Sequence, residues 1–303
     1  MAPATCDMLR RALQQVVAVK VGVLLACFLC IFVLGRWSTS TKVEKSALHQ
    51  RSRIDVRGSP ISKIAAQPST ESSCQKQLRE IFEQGLWKDV DLSSYNELAA
   101  KMDEIMPEIQ EGHSGQLVAE RKAYILMASL PCVRRICEIG FNGGHSAALW
   151  LKAAPKAEVV MFDLWNHTYN ARGEAFLRDP RSIREFQLPN ANERLHIIKA
   201  IGSSLKTVPS FARDFPEKKC DLISIDGGHT EDIARADLWS MANLANRNFH
   251  VLLLDDTNCE GFWCNGPQAA LEHHMGTGLV KIIAGITEEN AGRGLSILQY
   301  IKH

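Results

Sequence analysis

From about residue 130 onward, short apolar runs alternate with longer stretches in which apolar residues recur three or four positions apart. The first pattern suits buried strands and the second suits amphipathic helices, and their alternation predicts βα units on a parallel sheet. The runs are Arg135 to Ile139, Glu158 to Phe162, Arg194 to Ile198, Asp221 to Ile225 and His250 to Leu254. The expected fold class is therefore α/β: a Rossmann-like, mostly parallel central sheet with helices on both faces. Upstream, Leu78, Ile81 and Phe82, then Leu98, Met102 and Ile105, then Leu117, Ala119, Ala123, Ile125 and Leu126 keep helical spacing and predict helices that lead into and cover the sheet.

The N-terminus has a different pattern. Val16 to Leu34 is apolar except for Lys20, and a helix of that span would be roughly 28 Å long, close to the thickness of a bilayer core. A single membrane anchor is expected, because the run is long for a cleaved leader and Leu34, Gly35, Arg36 and Trp37 offer no small-x-small cleavage site. Basic residues on both sides leave its orientation open, so the expected location is a single-pass membrane protein of undetermined face. Ser38 to about Gln77 is polar, holds Pro60 and Pro68, and reads as a solvated stem. The organisation expected is a tail over 1–15, an anchor over 16–35, a stem over 36–76 and one catalytic domain over 77–303.

Composition removes one class of partner. With 35 Lys+Arg against 34 Asp+Glu, the formal charge of +1 provides no field for a polyanion, and nucleic acid is not expected. The nine cysteines lack a paired CxxC zinc spacing and are read as structural, with Cys137 a small hydrophobe in a buried strand. Redox compartment and oligomeric state stay open. The sequon Asn166, His167, Thr168 falls just after the second run and says little about topology.

Ligands of open α/β sheets bind beyond the carboxyl ends of the strands, so the residues just after each run should carry the chemistry. The first run enters Glu138, Ile139, Gly140, Phe141, Asn142, Gly143, Gly144, His145, Ser146, a glycine-rich turn whose amides can approach a ligand at a helix start. Asn142 and His145 break the GxGxxG dinucleotide pattern, which puts a nicotinamide oxidoreductase second. Asp163 ends the second run some 20 residues beyond the glycines, where a carboxylate can accept both ribose hydroxyls. After the third run, Gly202, Ser203 and Ser204 either flank an adenine edge or cap a helix. The fourth and fifth runs end in Asp226, Gly227, Gly228, His229 and in Asp255, Asp256, Thr257, Asn258. Asp226, Asp255 and Asp256 at neighbouring strand tips would repel without a cation, and oxygen-only ligands suit Mg²⁺ or Mn²⁺. His229 is placed either to take a proton or to hydrogen-bond one of these acids.

In order and spacing, EIGFNGGHS, FDLW, DLISIDGGH and VLLLDDT resemble the core of class I S-adenosylmethionine-dependent methyltransferases. The branch most similar is that of metal-dependent small-molecule O-methyltransferases. The resemblance covers about Gly115 to Leu254 and fades toward the C-terminus. It implies S-adenosyl-L-methionine as methyl donor, with Glu138, Gly140 and Gly144 on its methionine side and Asn142 and Ser146 in the same loop. It also implies Asp163 on the ribose, Ser203 and Ser204 near the adenine, and Gly115 and Gln116 closing over the cofactor. Asp226, Asp255 and Asp256 fall at the branch's metal positions. His229 matches a histidine base of macrolide-sugar O-methyltransferases, whereas catechol-type enzymes have a lysine near there and usually Asn at the Asp256 position, which argues against a catechol. The expected reaction is methyl transfer to a hydroxyl of a small molecule, with His229 and Asp226 as catalytic residues. A non-catalytic cofactor-binding scaffold is the alternative.

Overall fold

The computed structural model describes residues 72–109, 113–199, 203–288 and 292–301. The expected anchor, nearly all of the stem and Gly202 lie outside these residues. Among the described residues no helix is long and apolar enough to cross a membrane.

Seven strands form one sheet: β1 (Arg135–Ile139), β2 (Glu158–Asp163), β3 (Leu195–Lys199), β4 (Leu222–Ile225), β5 (Val251–Asp255), β6 (Val280–Glu288) and β7 (Arg293–Tyr300), in the order β3-β2-β1-β4-β5-β7-β6. The five expected strands are all present, each within a residue or so of its apolar run. β1 through β5 pair in parallel, while β7 is antiparallel to both β5 and β6. The order reverses between β1 and β4, so the carboxyl ends of these two strands flank the switch point where such sheets bind ligands.

The helices are α1 (Ser73–Glu83), α2 (Ser93–Ile105), α3 (Val118–Ala128), α4 (His145–Ala153), α5 (Asn170–Arg178), α6 (Pro180–Glu185), α7 (Ala191–Arg194), α8 (Ser204–Asp214), α9 (Glu231–Ala242) and α10 (Asn265–Gly276). α1 opens on a reciprocal cap in which Ser72 accepts the Gln75 amide and Gln75 accepts the Ser72 amide. Two apolar cores cover the two faces of the sheet. One gathers α1 to α4 with Ile136, Val159, Met161 and Leu253, and the other gathers α9 and α10 with Cys137, Val160, Ile223 and Leu252. Neighbouring strand residues alternate between these cores, as the two-residue period of a strand requires, and this explains why the runs read as continuously apolar.

The cysteines need a correction. Cys137 is not a free thiol but is bonded to Cys220, while Cys74 pairs with Cys132 and Cys259 with Cys264, so all six described cysteines are in disulfides. The Cys137–Cys220 partners stand 83 residues apart in sequence and meet because β1 and β4 are neighbours, a pairing that spacing alone does not reveal.

Candidate active site

The loop after β1 is built by close backbone approach. Gly140 has φ +106°, and a Cβ there would lie 1.9 Å from the carbonyl oxygen of Asp226. Glycine is therefore required for the ends of β1 and β4 to come together. Both oxygens of Asp163 are engaged: Oδ2 accepts the amides of Phe141 (2.8 Å) and Asn142 (3.2 Å), and Oδ1 accepts that of Trp165 (2.6 Å). A carboxylate has about four lone-pair sites. Asp163 thus first fixes the loop and retains room for about one further donor.

Glu138 is buried at the end of β1. Its Oε2 accepts from the Ser146 hydroxyl (2.8 Å) and the Trp150 indole (2.9 Å), and its Oε1 accepts from the Ser224 hydroxyl (3.0 Å). Burial, reinforced by the charge of Asp226, pushes its pKa to about 8 against these three donors. Ser146 is consequently occupied in orienting Glu138. Asn142, at φ +48°, accepts the Asn170 side-chain amide on its carbonyl. Ser203 caps α8 by accepting the Leu205 amide at 3.2 Å, and Ser204 is the first residue of that helix. Of the two readings the sequence left open for this pair, the structure displays the helix cap.

At the ends of β4 and β5 the acids separate into two groups. Asp256, at φ +52°, accepts two hydrogen bonds from Arg293 Nη1 (2.8 and 3.1 Å), and its Oδ2 lies 2.8 Å from His229 Nε2. It was expected as a metal ligand, but its charge is already matched by a guanidinium and an imidazole. Hydrogen bonding to Asp256 raises the His229 pKa above the usual histidine value. With Nε2 on the carboxylate, Nδ1 is the nitrogen left to accept a proton.

Asp226 and Asp255 form the second group together with Glu120 from α3, a residue not singled out in the sequence. Asp255 interacts electrostatically with both of the others. Glu120 and Asp255 are buried, whereas Asp226 keeps an exposed side at the strand end. Desolvation, reinforced by the neighbouring acids, pushes Glu120 to about 8 and Asp255 well above the ordinary range, and Asp226 is raised too. Asp255 Oδ1 and Glu120 Oε2 are buried without a hydrogen-bond partner. Among the described residues, no three of these acids bring ligand atoms within 4.8 Å of one another. Glu120 had a signal: it lies three residues after Leu117 and four before Tyr124, on the apolar stripe of its helix. Arg293 had none, since it lies beyond the reach of the motifs.

The fold is that of class I methyltransferases. Residues 137–257 match a family described as a methyltransferase domain, and no curated protein sequence matches the chain. Among solved structures, an SAH-bound methyltransferase of Podospora anserina is 15% identical with a TM-score of 0.51, covering 78% of this chain and 100% of its own. The SAM-bound O-methyltransferase TomG of Streptomyces achromogenes, involved in tomaymycin synthesis, is 18% identical with a TM-score of 0.50, covering 75% and 99%. A putative O-methyltransferase of Klebsiella pneumoniae is 13% identical with a TM-score of 0.50, covering 75% and 98%. Residues 137–257 thus match a methyltransferase-domain family, and the fold resembles that of S-adenosylmethionine-dependent O-methyltransferases, as the motifs implied.

Proposed function

We propose that this protein transfers the methyl group of S-adenosylmethionine to a hydroxyl oxygen of a small molecule. The observation that carries this reading is the His229–Asp256–Arg293 array set beside two further acids, Asp226 and Asp255, at the switch point of the sheet. In the transfer, the bond between sulfur and the methyl carbon breaks as the acceptor oxygen forms its bond to that carbon, and the hydroxyl proton passes to His229 Nδ1. Asp256 holds the imidazole through Nε2 and stabilises it once charged, and Arg293 fixes Asp256 with two hydrogen bonds. Glu138, Gly140, Asn142, Gly144 and Ser146 shape the donor loop, and Asp163 offers its remaining lone pair to a ribose hydroxyl. No covalent intermediate on the protein is needed, because holding both reactants at attack distance supplies much of the acceleration.

A divalent cation fits this site. Asp226 and Asp255 offer hard oxygen ligands, and the orphaned oxygens on Asp255 and Glu120 mark missing positive charge. Mg²⁺ or Mn²⁺ needs only one or two carboxylates, with water and substrate oxygens completing its shell. Bound there, the ion would supply Lewis acidity that lowers the pKa of an acceptor hydroxyl. Asp256 is not assigned to it.

The same reading places the domain on the oxidising side of a membrane, tethered by the anchor over 16–35. Six paired cysteines support this, since such bonds persist in secretory and extracellular compartments and are rare in the cytosol.

Calorimetric titration of the purified full-length chain with S-adenosylmethionine and with NAD, each with and without Mg²⁺, tests the function. Saturable binding of S-adenosylmethionine alone is expected. Binding of NAD instead would move the reading to an oxidoreductase, and donor binding without turnover on any hydroxylated acceptor would move it to a scaffold.

A further inference from the structure

A second cluster of chemistry-bearing side chains lies away from the strand-end acids. Asp103 comes from α2, His113 immediately precedes the short turn Ser114–Gln116, and His145 is the first residue of α4, directly after the donor loop. Both imidazoles turn Nε2 onto a single oxygen, Asp103 Oδ1, at 3.1 Å from His113 and 2.9 Å from His145. The rings stack with centroids 3.8 Å apart. Their side chains are only 7% and 2% exposed, while Asp103 is 49% exposed, so the cluster is closed on the imidazole side and open to water on the carboxylate side.

Hydrogen bonding alone accounts for this arrangement poorly. If each Nε2–H donates to Asp103, one oxygen takes both donors and both Nδ1 atoms remain buried without a partner, at a cost that buried polar groups rarely carry. The donor set has another use. The two imidazole nitrogens and the carboxylate oxygen all lie within 4.8 Å of one another. A tetrahedral ion with bonds of about 2.0–2.1 Å sets its ligand atoms roughly 3.3 Å apart, near the two distances observed.

We propose that Asp103, His113 and His145 bind one borderline divalent ion of the zinc class, distinct from the Mg²⁺-type site of Asp226 and Asp255. Two imidazoles and one carboxylate suit Zn²⁺ or Co²⁺, whereas Mg²⁺ prefers oxygen-only shells. Water from the exposed Asp103 side completes the coordination. Ligation requires the rings to splay from their 20° interplanar angle, because each lone pair lies in its own ring plane. The ion ties three segments together: α2, the 113–116 turn and the start of α4. Gly115 and Gly143 press against these rings, where a Cβ would lie 2.7 Å from His113 Nδ1 and 3.2 Å from His145 Nδ1, respectively. The ion therefore pins the N-terminal helical cap to the loop that receives the methyl donor.

The test is metal binding to the purified, chelator-stripped full-length chain, read by calorimetry with Zn²⁺ and by visible absorption with Co²⁺. One Zn²⁺ equivalent is expected, insensitive to excess Mg²⁺, weakened at least tenfold in both Asp103→Asn and His113→Gln, and unchanged in Asp255→Asn. Affinity within twofold of wild type in Asp103→Asn and His113→Gln, loss in Asp255→Asn alone, or no Zn²⁺ bound to the wild type would each overturn the proposal. X-ray absorption of the Zn²⁺-loaded wild type needs no variant: a shell containing two imidazoles supports the site, and an oxygen-only shell refutes it. Both readouts are independent of methyl transfer, so failure here leaves the proposed function untouched.

Discussion

Glu138→Gln should stabilise the metal-free protein at alkaline pH while leaving it little changed near pH 5. Glutamine has the shape of the protonated acid and can still accept from Ser146 and Trp150, while the Ser224 hydroxyl can turn to accept from its amide. It cannot lose a proton. The native Glu138 is raised from 4.5 to about 8, so between these values the folded state holds a proton that the unfolded state has released. Stability from this group is complete below about 4.5 and is lost as pH rises through about 8. At 1.36 kcal/mol per pH unit, the full difference is about 5 kcal/mol. For a domain of this size that corresponds to a Tm difference on the order of 10 °C. The assay is thermal unfolding of wild type and variant in chelator across pH 5 to 9, reading the gap between the two curves so that Glu120, Asp226 and Asp255 cancel. Parallel curves would refute the claim that Glu138 is held neutral by burial. Affinity for S-adenosylmethionine should fall in the same variant if Glu138 lies on the donor's methionine side.

Other outcomes follow from the same geometry. Asp255→Asn should abolish metal-dependent turnover while donor affinity, measured by calorimetry, stays within a fewfold of wild type; full activity in chelator would refute the metal assignment. His229→Ala should lower kcat by about 10²–10⁴-fold, and the wild-type rate should fall with acid below a midpoint above the ordinary histidine value, because Asp256 raises that pKa. Arg293→Ala removes a charge that holds the His229 pKa down, so the acid limb of the rate profile should move upward, and loss of the guanidinium from a half-buried pair in which Asp256 keeps His229 should cost about 1.5–3 kcal/mol in denaturant unfolding. Replacing Cys137 and Cys220 by serine should cost about 2–5 kcal/mol, and alkylation of the native chain without reductant should leave the six described cysteines unmodified; free thiols at these positions would also remove the support for an oxidising compartment.

The strands and their tips were legible because a parallel sheet buried on both faces leaves continuous apolar runs, and because ligand chemistry concentrates where those runs stop. The β6–β7 hairpin was not. β6 mixes buried and exposed positions without strict alternation and carries an irregularity between Ile282 and Ala284, so neither period is evident. With the hairpin went Arg293, at the first position of β7, whose partner Asp256 stands 37 residues away. Glu120 was within reach, since an acid on the apolar stripe of a helix has to find a use. Ser146 and Ser203 were read for the donor, but local hydrogen bonds to Glu138 and the α8 start claim them first.

The adjacent acids Asp255 and Asp256 show how far a sequence can go in assigning roles. Identical in type, they differ in surroundings because successive residues at a strand end point to opposite sides, and the left-handed backbone at Asp256 sharpens that divergence. Asp255 faces Glu120 and Asp226, where each added anion raises the cost of the next. Asp256 faces Arg293, a fixed cation that cannot be titrated away, and is held by it on one side while it meets His229 on the other. The supply of fixed positive charge by the neighbouring strand is what separates the two carboxylates, and the proposed function assigns one to the base and the other to an ion on that ground. Trp263, with Arg293 5.4 Å from its ring centroid, extends this array into the Cys259–Cys264 loop, so the disulfide that constrains the loop also bears on the position of Arg293 and, through Asp256, on the base.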